Sequence, residues 1–149
     1  MNTKFLSGII VASLLLIPNS VFAGRFTDQV KTQLAAVGLL LGLGDDYEFT
    51  HDPYVDSIRH GRIDSLTLTL RAGTAYALVG VCDEDCRDID LRVYDEDDHL
   101  VGKDMASDDK PIIQISPRWT GRFRIEVLMN TCVASPCFYG IGTFGKSRW

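Results

Sequence analysis

Twelve of the 20 acidic residues fall between Asp83 and Asp109, in the run CDEDCRDIDLRVYDEDDHLVGKDMASDD, where only Arg87, Arg92 and Lys103 offset them. Carboxylates crowded in this way repel unless a cation or a basic side chain stands between them. Ca²⁺ takes six to eight oxygen ligands at roughly 2.3–2.6 Å, and aspartates in loops are its usual donors. The candidates are Asp88, Asp90, Asp95, Asp97, Asp104, Asp108 and Asp109. Strand alternation, rising about 3.3 Å per residue, puts Asp88 and Asp90 on one face. Charge runs are more often a solvated surface that keeps a protein soluble, and that reading leads here. A structural or regulatory Ca²⁺ site is the sharper alternative, although the helix–loop–helix pattern D-x-[DN]-x-[DN]-G is absent.

The four cysteines are the second group with chemistry. Cys82 and Cys86 are separated by three residues, Cys132 and Cys137 by four. Three connectivities exist. The two local pairings are favoured, because each would clamp a tight connection between neighbouring strands and hold the end of a hairpin in register. Four thiolates binding zinc would show C-x2-C pairs, and a redox-active pair would show C-x-x-C. Neither occurs.

Catalysis finds little support. His51, His60 and His99 are the three histidines, and none stands in H-x-x-x-H or H-E-x-x-H. There is no G-x-S-x-G and no glycine-rich phosphate loop. A carboxylate pair acting on a glycosidic bond is the one enzymatic alternative that the residue types leave open. Tyr54, Tyr76, Tyr94, Tyr139, Trp119 and Trp149 read as core or rim residues, with any exposed subset available as a binding platform.

Several elements must position these groups. The 149 residues give a prior of one domain, and 46% hydrophobic with 23% charged residues excludes wholesale disorder. A net charge of −5 argues against binding nucleic acid through a basic face. Residues 1–23 read as a secretory signal peptide, with Lys4, the apolar stretch Phe5–Ile17 and cleavage between Ala23 and Gly24. That apolar stretch is 13 residues, short of the roughly 20 a spanning helix needs, so no stable membrane anchor is expected after processing. The mature chain would keep all four cysteines in a periplasmic or secreted setting, where disulfides persist.

Residues 24–60 read as a helix plus a connecting segment. Phe26, Val30, Leu34, Val37 and Leu41 recur at spacings of three and four, Thr27 or Asp28 offers a cap, and Gly42 with Gly44 a stop. Little positive charge lies on the polar face, so the helix is expected to pack rather than lie on a membrane. Residues 61–149 read as short strands. Leu66, Leu68 and Leu70 alternate with polar residues, as do Ile89, Leu91 and Val93, and Phe123, Ile125, Val127 and Met129. Tyr76–Cys82 is apolar almost throughout, like a strand buried on both faces, and Ile112–Ile115 and Cys137–Phe144 complete the set. The expectation is an all-β, antiparallel β-sandwich with a short N-terminal helix.

Short motifs in order add a family likeness. Leu70-Arg71-Ala72-Gly73 with Tyr76, Asp88-Ile89-Asp90-Leu91, Asp104, and Thr120-Gly121-Arg122-Phe123 leading to Val127 together resemble the bacterial pre-peptidase C-terminal domain over residues 63–144. The resemblance implies a jelly-roll-like sandwich serving as an accessory or binding module, calcium-bound in some members and usually placed behind a secreted protease. The cysteine pairs are additions to that pattern. The function expected is a non-enzymatic exported module for a protein or polysaccharide partner of the cell envelope, with a structural role in an envelope complex as a further alternative.

Overall fold

The computed structural model describes residues 20–40 and 47–147. It contains one helix, α1 (Ser20–Leu40), and nine strands: β1 (Glu48–Phe49), β2 (Tyr54–Ile58), β3 (Ile63–Leu70), β4 (Thr74–Cys82), β5 (Cys86–Tyr94), β6 (Leu100–Asp104), β7 (Ile112–Ile115), β8 (Gly121–Cys132) and β9 (Cys137–Ser147). These form two antiparallel sheets, one ordered β1-β9-β4-β7 with β2 also on β9, the other β3-β8-β5-β6. The all-β sandwich expected from alternation is what the chain builds.

Alternation explains the interior. Ile89, Leu91 and Val93 of β5 and Phe123, Ile125, Val127 and Met129 of β8 face the other sheet and are buried together with Leu78, Tyr139 and Ile141. Their polar neighbours on the same strands stand on the opposite face, as a period of two requires. Strand β4 is buried on both sides for a separate reason. Tyr76, Leu78 and Cys82 enter the core between the sheets, whereas Ala77, Val79 and Val81 lie under α1, against Val30, Leu34 and Val37. Gly73 takes φ +79° in the β3–β4 turn, a conformation that glycine enters without steric cost.

Three expectations change. The helix spans Ser20–Leu40, so Thr27 and Asp28 lie inside it rather than at its start, and its backbone runs through Ala23 and Gly24. No proline interrupts VFAGRF, so the helical hydrogen bonds extend upstream. Residues 1–19, the stop at Gly42 and Gly44, Leu41 and Trp149 lie outside the described residues. The segment before residue 61, read as a connection, supplies β1 and β2, which lie end to end along β9. Pro53 interrupts them, having no N–H to give to a ladder. β6 was not foreseen either, because LVGKD lacks clean alternation.

The cysteines form Cys82–Cys86 and Cys132–Cys137, and no cysteine is free. Neither pair closes a hairpin, which corrects the expectation above. β4 and β9 belong to one sheet, β5 and β8 to the other, so each bridge spans a corner where the chain crosses between layers. Cys86 is the ladder partner of Cys132, which sets the two corners side by side at one end of the sandwich. Disulfides are the state that cysteines keep in oxidising compartments. Among the described residues, no helix is long and apolar enough to cross a membrane.

Candidate metal centre

The acidic run follows β5, turns through residues 95–99 into β6, and continues as the loop between β6 and β7. The seven candidate aspartates do not converge on one cage. They divide into three groups with different hydrogen bonding.

Asp88 and Asp90 form the first. Both belong to β5, and the loop lies beside them because Ile89 N–H donates to the Asp108 carbonyl at 3.0 Å. Asp90 is only 2% exposed. Asn130 Nδ2, from the neighbouring β8, donates to Asp90 Oδ2 at 2.7 Å. Asp90 Oδ1 and Asp88 Oδ1 are both buried and accept no hydrogen bond. Burial pushes the Asp90 carboxyl above its ordinary pKa. The Asn130 hydrogen bond works against that rise, the negative charges of Asp88 and Asp104 add to it, and Arg92 opposes them. Leaving a buried acceptor unsatisfied costs about 1–3 kcal/mol, more when it is charged, which sets these two oxygens apart from the other acids of the run.

The second group is the β5–β6 turn. Asp95 Oδ1 accepts from the Asp97 N–H at 3.0 Å and the His99 N–H at 2.9 Å, while Asp95 Oδ2 lies 3.3 Å from His99 Nδ1. Burial alone would raise the Asp95 pKa, but these donors outweigh it and hold it below the usual value. Candidate ligand atoms of Asp95, Asp97 and His99 lie within 4.8 Å of one another. His99 was absent from the predicted set, although its place four residues after Asp95 was the available signal. Since both Asp95 oxygens already have partners within its own turn, this group is explained as a turn clamp.

The third group shapes the loop. Asp104 accepts from the Ala106 N–H at 3.1 Å and the Ile112 N–H at 2.8 Å. Asp108 accepts from the Lys110 N–H at 2.9 Å, and Asp109 pairs with Lys110 Nζ at 2.7 Å. A further buried acid, Asp83, was not singled out in the sequence. It accepts from the Phe138 N–H at 2.8 Å and the Asp85 N–H at 3.2 Å, tying the β4–β5 corner to β9.

The histidines stay apart. His51 Nε2 lies 3.2 Å from the Thr69 carbonyl, His60 Nδ1 accepts from the Cys132 N–H at 3.2 Å, and His99 belongs to the turn above.

No family model and no curated protein matches this chain. Among solved structures, one described as the structure of infectious bursal disease virus Gt strain is similar at 10% identity and a TM-score of 0.39, over 68% of this chain and 32% of that one. This chain thus spans about a third of the length of the structure it matches.

Proposed function

We propose that this chain is an exported, non-enzymatic β-sandwich module that binds a protein or polysaccharide partner of the cell envelope, with Ca²⁺ stiffening its acidic edge. The observation that carries the reading is the pair of buried, unpartnered oxygens on Asp88 and Asp90. Hard carboxylate oxygens suit Ca²⁺. Asp88 and Asp90 would hold the ion, which would supply the positive charge that cancels their repulsion. Asn130 orients Asp90 for this, and the Ile89–Asp108 hydrogen bond keeps the loop close enough to be stiffened.

Two further observations support the wider reading. The strand orders β2-β9-β4-β7 and β3-β8-β5-β6 suit the jelly-roll arrangement used by many binding domains. Both disulfides suit a periplasmic or secreted life.

Scanning calorimetry on chelator-treated protein, followed by millimolar Ca²⁺, tests the metal. A rise in melting temperature in the wild type that disappears in Asp90→Asn is the expected result. An unchanged transition in the wild type would end the calcium reading. A panel of glycan and peptide substrates tests the non-enzymatic part, since turnover lost in Asp90→Asn would mean a carboxylate hydrolase instead.

A further inference from the structure

We infer that the outer edge of β3 is a latent pairing surface for a second copy of this chain, held shut by the Asp64 carboxylate. The inference goes beyond the binding and calcium readings and depends on neither.

The edge strands of the sandwich are guarded in different ways. β6 shifts register against β5 between Val93 and Tyr94, and it carries Lys103. β7 is four residues long, stands between Pro111 and Pro117, and its Ile112 N–H donates to Asp104 Oδ2 at 2.8 Å. Pro53 lies between the short β1 and β2. Bulges, lysines, prolines and shortness are the usual means by which an edge is blunted. β3 has none of them. Its eight residues run along β8 without a register shift, from Ile63↔Leu128 to Leu70↔Gly121. Among the described residues, β8 is its one ladder partner.

What closes β3 is a side chain. In an antiparallel ladder the main-chain groups of alternate residues point to the same side. The Thr69 carbonyl points away from β8, since it lies 3.2 Å from His51 Nε2. Ser65, four residues earlier, therefore turns its N–H to the same free edge. Asp64 Oδ1 accepts that N–H at 2.7 Å. Its other oxygen accepts from the buried Tyr139, so the core holds the carboxylate in position. β2 repeats the arrangement, with Ser57 N–H on Asp56 Oδ1 at 2.7 Å and the Tyr54 hydroxyl on Asp56 Oδ2 at 3.1 Å. An incoming strand offers Ser65 only a neutral carbonyl, and a charged acceptor forms the stronger hydrogen bond.

A second β3 is the strand that fits once this edge opens. Ile63, Ser65, Thr67 and Thr69 are exposed and uncharged. Two copies meeting antiparallel about a two-fold axis therefore bring no like charges together on that face, although the chain carries a net charge of −5. Hydroxyl and β-branched side chains would stand opposite one another, and such cross-strand pairs favour a ladder. The one charge on β3 is Asp64 itself.

Sedimentation equilibrium over a concentration series tests this on Asp64→Ala, Tyr139→Phe and the double variant Asp64→Ala/Ser65→Pro beside the parent. Tyr139→Phe loosens the core but leaves the carboxylate on Ser65, so it distinguishes lost stability from an opened edge. Proline removes the Ser65 N–H and is tolerated on an edge that faces solvent. The expected result is self-association ~10-fold tighter in Asp64→Ala than in the parent, with the other two variants at the parental level. Hydrogen exchange gives a second readout, in which β3 amides gain protection as Asp64→Ala is concentrated. No tightening in Asp64→Ala, equal tightening in Tyr139→Phe, association that survives Ser65→Pro, or protection gained away from β3 would overturn the inference. So would a Val-Thr repeat octapeptide that binds Asp64→Ala while the protein stays monomeric.

Discussion

The hydroxyl of Tyr139 donates to Asp64 Oδ2 at 2.7 Å, joining the two sheets by a polar contact through their shared core. Tyr139 lies on β9 and is fully buried, while Asp64 lies on β3 at the edge of the opposite layer. Burial first, and then Asp64, pushes the Tyr139 pKa far above the usual phenol value, so the proton stays on the tyrosine. Tyr139→Phe removes the donor and keeps the ring. Hydrogen bonds to charged groups contribute about 1.5–3 kcal/mol, and a loss of that size is expected in urea unfolding. A variant as stable as the parent would show that the contact adds nothing.

The acidic edge sets a pH dependence whose sign can be worked out. Asp90 and Asp83 both have pKa values raised above 3.8, chiefly by burial. Such a group binds its proton more readily folded than unfolded. Stability in chelator therefore climbs as pH falls from neutral through the raised values and levels off below 3.8. Asp95, held below 3.8, acts in the opposite sense, and its contribution is lost as pH falls through its lowered value. Urea titrations at a series of pH values should show a smaller climb in Asp90→Asn than in the parent. Ca²⁺ should suppress the Asp90 part of it by holding that carboxylate charged.

The seat of α1 depends on missing side chains. A Cβ at Gly140 would fall 2.2 Å from Val30 Cγ1 and 3.2 Å from Leu34 Cδ1. Gly140→Ala should therefore push the helix off β9, at a cost of about 1–3 kcal/mol, typical of overpacking. Hydrogen exchange in α1 should rise while the sheet amides stay protected. Leu34→Ala, at a fully buried position, should cost about 2–5 kcal/mol. Unchanged exchange in both variants would mean that the helix is not held by this contact.

Because each disulfide closes a very short loop, its effect on the unfolded chain is modest. Replacing Cys82 and Cys86 together by Ala should cost roughly 2 kcal/mol in the chain-entropy account. Thiol titration of the native protein should find no reactive sulfhydryl, since all four sulfurs are bonded. A much larger loss would show that the corner clamp also holds native geometry, through Asp83 and its contacts to β9.

Much of the fold is written in local patterns. Alternation in β3, β5 and β8 marks which side chains turn inward, because a strand's period of two is a property of its own backbone. The unbroken apolar run of β4 announces cover on both faces, and the spacing of Val30, Leu34 and Val37 names the helix face that gives it. Local pairing of the close cysteines was the favoured one of three connectivities, and it is the one that forms. β1, β2 and β6 were harder to read, since edge strands need no apolar face and are defined by the ladder they join.

What the tertiary structure decided is which residues from distant places meet. Sheet membership is not a local property, so only the fold made the disulfides corner clamps rather than hairpin staples. Among seven aspartates of one type, hydrogen bonding separates the turn and loop groups from Asp88 and Asp90. That distinction rests on Asn130, forty residues away along the chain, and on the loop that lies beside β5. Trp119 meets Phe123 and lies close against Gly121 for the same reason. Composition sets the charge and the periodicity of each segment, but desolvation depends on what packs above a group, and packing is settled only when the two sheets close.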